Sequence, residues 1–229
     1  FKDKNKIEKF PIITRNIHSN PQIITFIQSL NSLELKSSLE GIGGTINTLV
    51  NKHADSLYFY RYNKFDKNKK ISNLSSEIFN YELSVDKNFK IIDYNNSNKF
   101  LWIGKGGVGM SNSNYKWLII KENNKVKLNG NIELLELIDK NLNQINPHIK
   151  IISNNNQYYI NQYKDFNLYK VYTNYNHSLY NAGGFLVVYL LEDLLNDKNT
   201  LFYGFVNAPG QSKMKHIKEL ETIIINSIF

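Results

Sequence analysis

Gly184-Phe185-Leu186-Val187-Val188-Tyr189-Leu190-Leu191 is a continuous apolar run, and its assignment decides the architecture. Such a run fits a strand buried on both faces or a buried helical segment, and periodicity alone does not separate the two. The residues that follow do. Leu201-Phe202-Tyr203-Gly204-Phe205-Val206 is a second apolar run, reached through the polar connection Asn196-Asp197-Lys198-Asn199. Two apolar runs joined by a short polar turn read as a hairpin, so 184–191 is expected to be a strand paired with 201–206. Ala208-Pro209-Gly210 closes the hairpin. Met214, Ile217, Leu220, Ile224 and Ile228 then recur on one face of an amphipathic helix over 212–228.

Upstream, 148–152, 157–162 and 168–172 read as strands. Ile132, Leu135, Ile138, Leu142 and Ile145 mark a helix that starts after the turn signal Asn129-Gly130 and stops at Asn146-Pro147. Phe100–Ile103 reads as a strand running into a glycine loop. Trp117–Ile120 and 125–128 read as a hairpin across Glu122-Asn123-Asn124. Two more strands, 78–85 and 88–94, are expected on either side of Asp86-Lys87, after a basic turn at 66–70. Leu57, Phe59 and Arg61 alternate with Tyr58, Tyr60 and Tyr62, which predicts a strand over 56–62. Helical spacing is read over 21–30, capped by Asn20-Pro21, then over 33–39 and 46–50, with Gly41, Gly43 and Gly44 as a break. The order predicts an α+β fold, a largely antiparallel sheet with helices packed on one face. Residues 1–20 are expected to be an extended N-terminal arm. Residues 21–229 are expected to form a single domain, with 129–130 as the sub-boundary if it has two lobes.

Composition narrows the class. The 229 residues carry a formal charge of +8 and are 41% hydrophobic, enough for a real core. Arg15 and Arg61 are the only arginines, and Ala54, Ala182 and Ala208 the only alanines, the usage of an AT-rich genome. The basic balance suits nucleic acid, an anionic surface or an acidic polymer. Scarcity of arginine weakens sequence-specific DNA recognition. The absence of cysteine excludes disulfides, thiolate nucleophiles and thiolate metal sites. No apolar segment is long enough to span a membrane as a helix. The polar start Lys2-Asp3-Lys4-Asn5-Lys6 suits the tether behind a removed export signal.

Gly104-Lys105-Gly106-Gly107-Val108-Gly109-Met110-Ser111 resembles the deviant phosphate-binding loop of ParA/MinD-type ATPases. In that loop glycines let backbone N–H groups wrap phosphate oxygens, and a second lysine neutralises charge. Met110 stands where that lysine belongs, so the stretch reads instead as a connection between strands, with Lys105 able to face an anion. Gly41-Ile42-Gly43-Gly44 does not follow a strand, which excludes a dinucleotide fingerprint. His53-Ala54-Asp55 offers too few ligands for a metal, and no cofactor or metal is expected. His177-Ser178 lacks the framing of a nucleophile elbow. No catalytic residue is assigned.

The strongest binding signal is aromatic and basic residues interleaved. Tyr58, Tyr60, Arg61 and Tyr62 run into Lys64, Lys67, Lys69 and Lys70. Tyr158, Tyr159 and Tyr163 begin a second such region, which continues through Lys164, Tyr169, Lys170, Tyr172 and Tyr175. Rings beside cations suit bases of a single strand or the apolar faces of sugars, and they also suit an ordinary tyrosine-rich sheet face.

Gly183-Gly184-Phe185, the following strand, Gly204-Phe205-Val206-Asn207-Ala208-Pro209-Gly210 and a helix containing Lys218-Glu219-Leu220-Glu221 resemble the end of uncharacterised bacterial envelope lipoproteins. The resemblance implies export and membrane tethering. The expectation is therefore an extracytoplasmic binding or structural module of the cell envelope, without catalysis, whose partner is a protein or a polysaccharide. A lipid anchor is compatible with it. The alternatives are an RNA-contacting, ribosome-associated accessory protein of an organelle matrix or cytoplasm, and a hydrolase whose site is assembled only by the fold.

Overall fold

The computed structural model describes residues 12–15, 23–27, 29, 31–62, 64–106, 114–125, 130–180 and 182–229. The chain divides into two compact units, Phe1–Asn63 and Lys64–Phe229.

In the first unit, β1 (Ile12–Arg15) pairs antiparallel with β2 (Ile23–Phe26), and α1 (Ser32–Tyr62) follows. Three expectations are corrected here. Residues 23–26 are strand, because the β-branched run Ile23-Ile24-Thr25 finds a ladder partner in β1. Gly41, Gly43 and Gly44 lie inside α1, since glycine weakens a helix interior by about 1 kcal/mol without the steric block of proline. Residues 56–62 are the last turns of α1, not a strand. Their alternating aromatics express a local preference that the continuing helix overrides. The Asn20-Pro21 cap and most of the expected N-terminal arm lie outside the described residues.

The second unit holds a seven-stranded antiparallel sheet in the order β3-β4-β5-β9-β8-β7-β6. Its strands are β3 (Lys90–Asn95), β4 (Phe100–Gly106), β5 (Tyr115–Asn124), β6 (Ile149–Gln162), β7 (Phe166–His177), β8 (Ala182–Asp193) and β9 (Lys198–Asn207). The decisive run is β8, paired with β9 through Phe185↔Val206 and Leu190↔Leu201. Its turn is closed by Asp193 Oδ1, which accepts the N–H groups of Leu195 and Asn196 at 2.9 Å each. β5 pairs with β4 and β9 and continues through Glu122-Asn123-Asn124, where a turn was expected, while residues 126–129 of the expected second arm lie outside the described residues. Residues 115–120 are buried without a break, so both faces of this strand are covered.

Three helices complete the unit: α2 (Lys69–Phe79), α3 (Asn131–Ile145) and α4 (Met214–Ile228). Asn68 caps α2 by accepting the Ile71 N–H, and Asn80 ends it in the left-handed region at φ 64°. The expected basic turn at 66–70 and strand at 78–85 give way to this helix and the loop after it.

Leu134, Ile138 and Leu142 of α3 pack with Trp117, Ile119, Tyr203 and Phe205 on one face of the sheet. The alternate residues face the other way. Gly204 lies under Leu220 of α4 there, and Tyr81, just beyond α2, packs on Phe202. The fold is therefore mostly β, a curled antiparallel sheet with small helices on both faces. This corrects the α+β expectation with helices on one face. Periodicity shows that a helix has an apolar stripe; it does not say which face of the sheet the stripe meets. Gly130 precedes α3 within this unit. No helix among the described residues is long and apolar enough to cross a membrane.

Candidate functional site

The curl of the sheet builds the site. Two strands separate β5 from β7 in the sheet order, yet the Trp117 and His177 rings lie 6.1 Å apart, edge to face. Nearby, the Tyr175 hydroxyl donates to the Tyr115 hydroxyl at 2.8 Å across the same gap. Burial, and then the neighbouring Tyr115, pushes the Tyr175 phenol far above its ordinary value. This pair therefore stays neutral and stitches the curl.

Beside it opens a cavity of about 610 Å³. Trp102, Trp117 and His177 line it, with Tyr180 and Leu179 from the turn after β7. Asn88, Lys90 and Asn146 are the polar residues of its wall. Gly104 makes room for the floor, because a Cβ there would fall 2.6 Å from Trp117 Cδ1 and 2.7 Å from Ile92 Cδ1. Trp102 meets Trp117 edge-on at 5.2 Å, and Tyr180 leans over His177 at 4.5 Å.

Two polar groups in this wall have no hydrogen-bond partner. His177 is 1% exposed, and neither Nδ1 nor Nε2 is bonded. The buried Nε1 of Trp102 is also unbonded. Unpaired buried polar groups are rare and costly. Burial lowers the His177 pKa, and the neighbouring His148 lowers it further, so the imidazole is neutral at physiological pH. Ser178 is no nucleophile for this histidine. Its hydroxyl donates to the His148 carbonyl at 3.4 Å.

The sequence-predicted residues fall elsewhere. Tyr58, Tyr60, Arg61 and Tyr62 lie on α1, in the other unit, and their side chains are outside the described residues. Lys105, on β4, is ion-paired with Asp86. Tyr158 accepts from Asn156 Nδ2 at 3.3 Å. Tyr159 is 46% exposed and lies under the Lys170 ammonium, 4.9 Å from its ring centre. Tyr163 stacks on Phe166 at 4.5 Å and meets Phe229. Tyr158, Tyr159 and Tyr163 thus do not line the cavity. The glycine stretch leaves β4, and the next described element is its antiparallel neighbour β5, whereas a phosphate loop opens a helix. Residues 107–113 lie outside the described residues.

A second polar constellation holds α4 to the sheet. Glu221 is 5% exposed and accepts from the hydroxyls of Tyr172 at 2.5 Å and Tyr189 at 2.8 Å. Lys170 and Lys218 stand at 3.5 and 3.3 Å. Burial alone would raise this carboxyl, but the Tyr172 hydrogen bond and the two lysines outweigh it and hold the pKa below its ordinary value.

The cavity was half visible in sequence. Trp102 and Trp117, the only tryptophans of the chain, flank the glycine stretch. His177 and Tyr180 are some sixty residues further on, and nothing local ties them to it. Among the described residues no group of three or more His, Asp or Glu side chains could hold a metal. No known protein family matches the chain, and no curated protein does.

Proposed function

We propose that this chain is an extracytoplasmic binding module of the cell envelope that holds a small ligand in the Trp102–Trp117–His177 cavity and performs no chemistry on it. The observation that carries the reading is a cavity of about 610 Å³, of ligand size, walled by Trp102, Trp117, His177 and Tyr180. Binding is favoured over catalysis by the composition of the wall. Among the described residues it contains no Asp, Glu, Ser or Thr, so none of them gives the neutral imidazole an orienting carboxylate or a nucleophile to activate. The envelope assignment draws on the resemblance of residues 183–221 to envelope lipoproteins.

The RNA-contacting reading draws less support. Lys105, Lys116 and Lys170 are each matched to Asp86, Glu219 or Glu221, so these cations are neutralised locally. Fractionation of the native cells, with the protein followed by antibody, tests the location. Recovery with the envelope supports the reading, and recovery with ribosomes at low salt that is lost at high salt replaces it. Thermal-shift screening against sugars, nucleosides and amino acids tests the cavity. A stabilising ligand whose effect disappears in Tyr180→Ala supports it, and stabilisation that survives this change places binding elsewhere.

A further inference from the structure

The accessible side chains of the cavity wall restrict what fills it. This step rests on the reading of the cavity as a ligand site. Lys90 of the edge strand β3, Gly104 of β4 and Trp117 of β5 are successive partners in one cross-strand row, Lys90↔Gly104 and Gly104↔Trp117. Directly opposite residues share a face of the sheet, so Lys90 stands on the face that carries Trp117. The glycine between them lets Trp117 and Ile92 lie against bare backbone. Lys90 therefore borders an apolar floor.

The mouth of the cavity is apolar as well. Ile92 is 45% exposed, Leu179 61% and Tyr180 45%. Exposed large apolar residues are ordinary when scattered and informative when they meet. These three come from β3 and from the turn after β7, far apart in sequence, and they line the same cavity. A ligand with polar groups all round would lose water against them without gaining hydrogen bonds in return. The occupant is therefore apolar over most of its surface, with its polar groups at one end.

Charge fixes the character of that end. Apart from His177, the polar side chains of the wall are Asn88, Lys90 and Asn146, and none of them is buried. An ammonium only donates. Asn146 Oδ1 accepts the His148 N–H at 3.0 Å, which leaves its NH2 group to donate. Lys105 and Lys116, on the neighbouring strands, are paired with Asp86 and Glu219. Lys90 has no carboxylate partner among the described residues. The wall thus offers donors and one unneutralised cation, and a ligand amine would meet that cation with no Asp or Glu among the described lining residues to offset it. A compact ammonium is a single point charge, and a single negative charge matches it. We infer that the cavity takes an amphipathic monoanion, an aliphatic or aromatic carboxylic acid, with its carboxylate at Lys90 and its apolar body against Trp102, Leu179 and Tyr180.

Because both tryptophans line the cavity, intrinsic emission of the full chain reports occupancy without a label. The titrants are octanoate, octanamide and octylammonium, which share an alkyl body, and phenylacetate, phenylacetamide and phenethylammonium, which share an aromatic one. The expected result is a saturable emission change with at least one carboxylate. Its amide binds about fivefold more weakly, the upper range for an exposed ion pair, and its ammonium counterpart more weakly still. The preference for the carboxylate shrinks in high salt. In Lys90→Met it vanishes while affinity for the amide is kept, and in Lys90→Glu it passes to the ammonium compound. Near-ultraviolet circular dichroism verifies that both variants fold. Carboxylate, amide and ammonium binding alike, each with sensitivity to Tyr180→Ala, would overturn the ligand class and leave the cavity reading standing. A carboxylate preference that survives Lys90→Met, or no saturable change with any titrant, would overturn the class too. The cavity reading falls separately, if no ligand of these titrations or of the thermal-shift screen depends on Tyr180.

Discussion

Glu221 illustrates how much a single side chain can hold in this fold. Its carboxylate gathers two tyrosine hydroxyls and two ammonium groups beneath α4. Removing one partner of a buried charge cluster costs more than the cluster contributes in net terms, because the remaining charges stay desolvated. Glu221→Ala is therefore expected to destabilise the protein by about 3–5 kcal/mol, and Glu221→Gln by less, as read from urea denaturation. An unchanged midpoint for the alanine variant would show that α4 is held by its apolar stripe alone.

His177 and His216 set the response to acid. Both are lowered from the ordinary value of 6.5, each chiefly by burial. The unfolded chain protonates first as the pH falls through 6.5, so stability is full above that pH. It declines below it until the lowered folded values are reached. Glu221 and Asp86, also lowered, add a second decline below their ordinary 4.5 and 3.8. Denaturation midpoints at about pH 7.5 and about pH 5.5 should differ, and His177→Phe should shrink the difference. An unaltered difference in that variant would leave the first decline to other groups.

Glycine acts in opposite ways in two elements. In β9, a Cβ on Gly204 would lie 2.9 Å from Val187 Cγ1 and 3.3 Å from Leu220 Cδ1. The bare backbone lets α4 settle on the sheet, and Gly204→Ala should cost about 1–3 kcal/mol by overpacking. In α1, nothing lies within 4 Å of the Cβ position of Gly43. Gly43→Ala there should strengthen the helix by about 1 kcal/mol, visible as greater helicity in far-ultraviolet circular dichroism. The two changes look alike in sequence, and only the neighbours decide their sign. The same holds for the strands. β8 was legible because two apolar runs flank one polar turn. The strand reading of 56–62 failed because alternation over seven residues does not outweigh a helix propagating from Ser32.

At the largest scale the two units differ in what they bury. Every residue of the described hydrophobic core, from Ile71 to Ile224, lies in the second unit. A fragment of residues 64–229 should therefore fold alone, with a cooperative urea transition and the near-ultraviolet dichroism of the whole chain. A fragment that stays unfolded would show that residues 1–63 contribute to that core. The candidate site belongs to the same unit and needs its sheet to curl. Local patterns identified the glycine stretch and the two tryptophans beside it. They could not place His177 against Trp117, because that contact joins strands with two others between them.

Periodicity and turn chemistry, which act over a few residues, determined from sequence alone that 184–191 and 201–206 form a hairpin and that helices lie within 132–145 and 212–228. Which faces the helices cover, where the sheet curls and which polar side chains are left unbonded were decided by tertiary structure alone. Those outcomes depend on the packing of residues some sixty positions apart, for which local spacing holds no information.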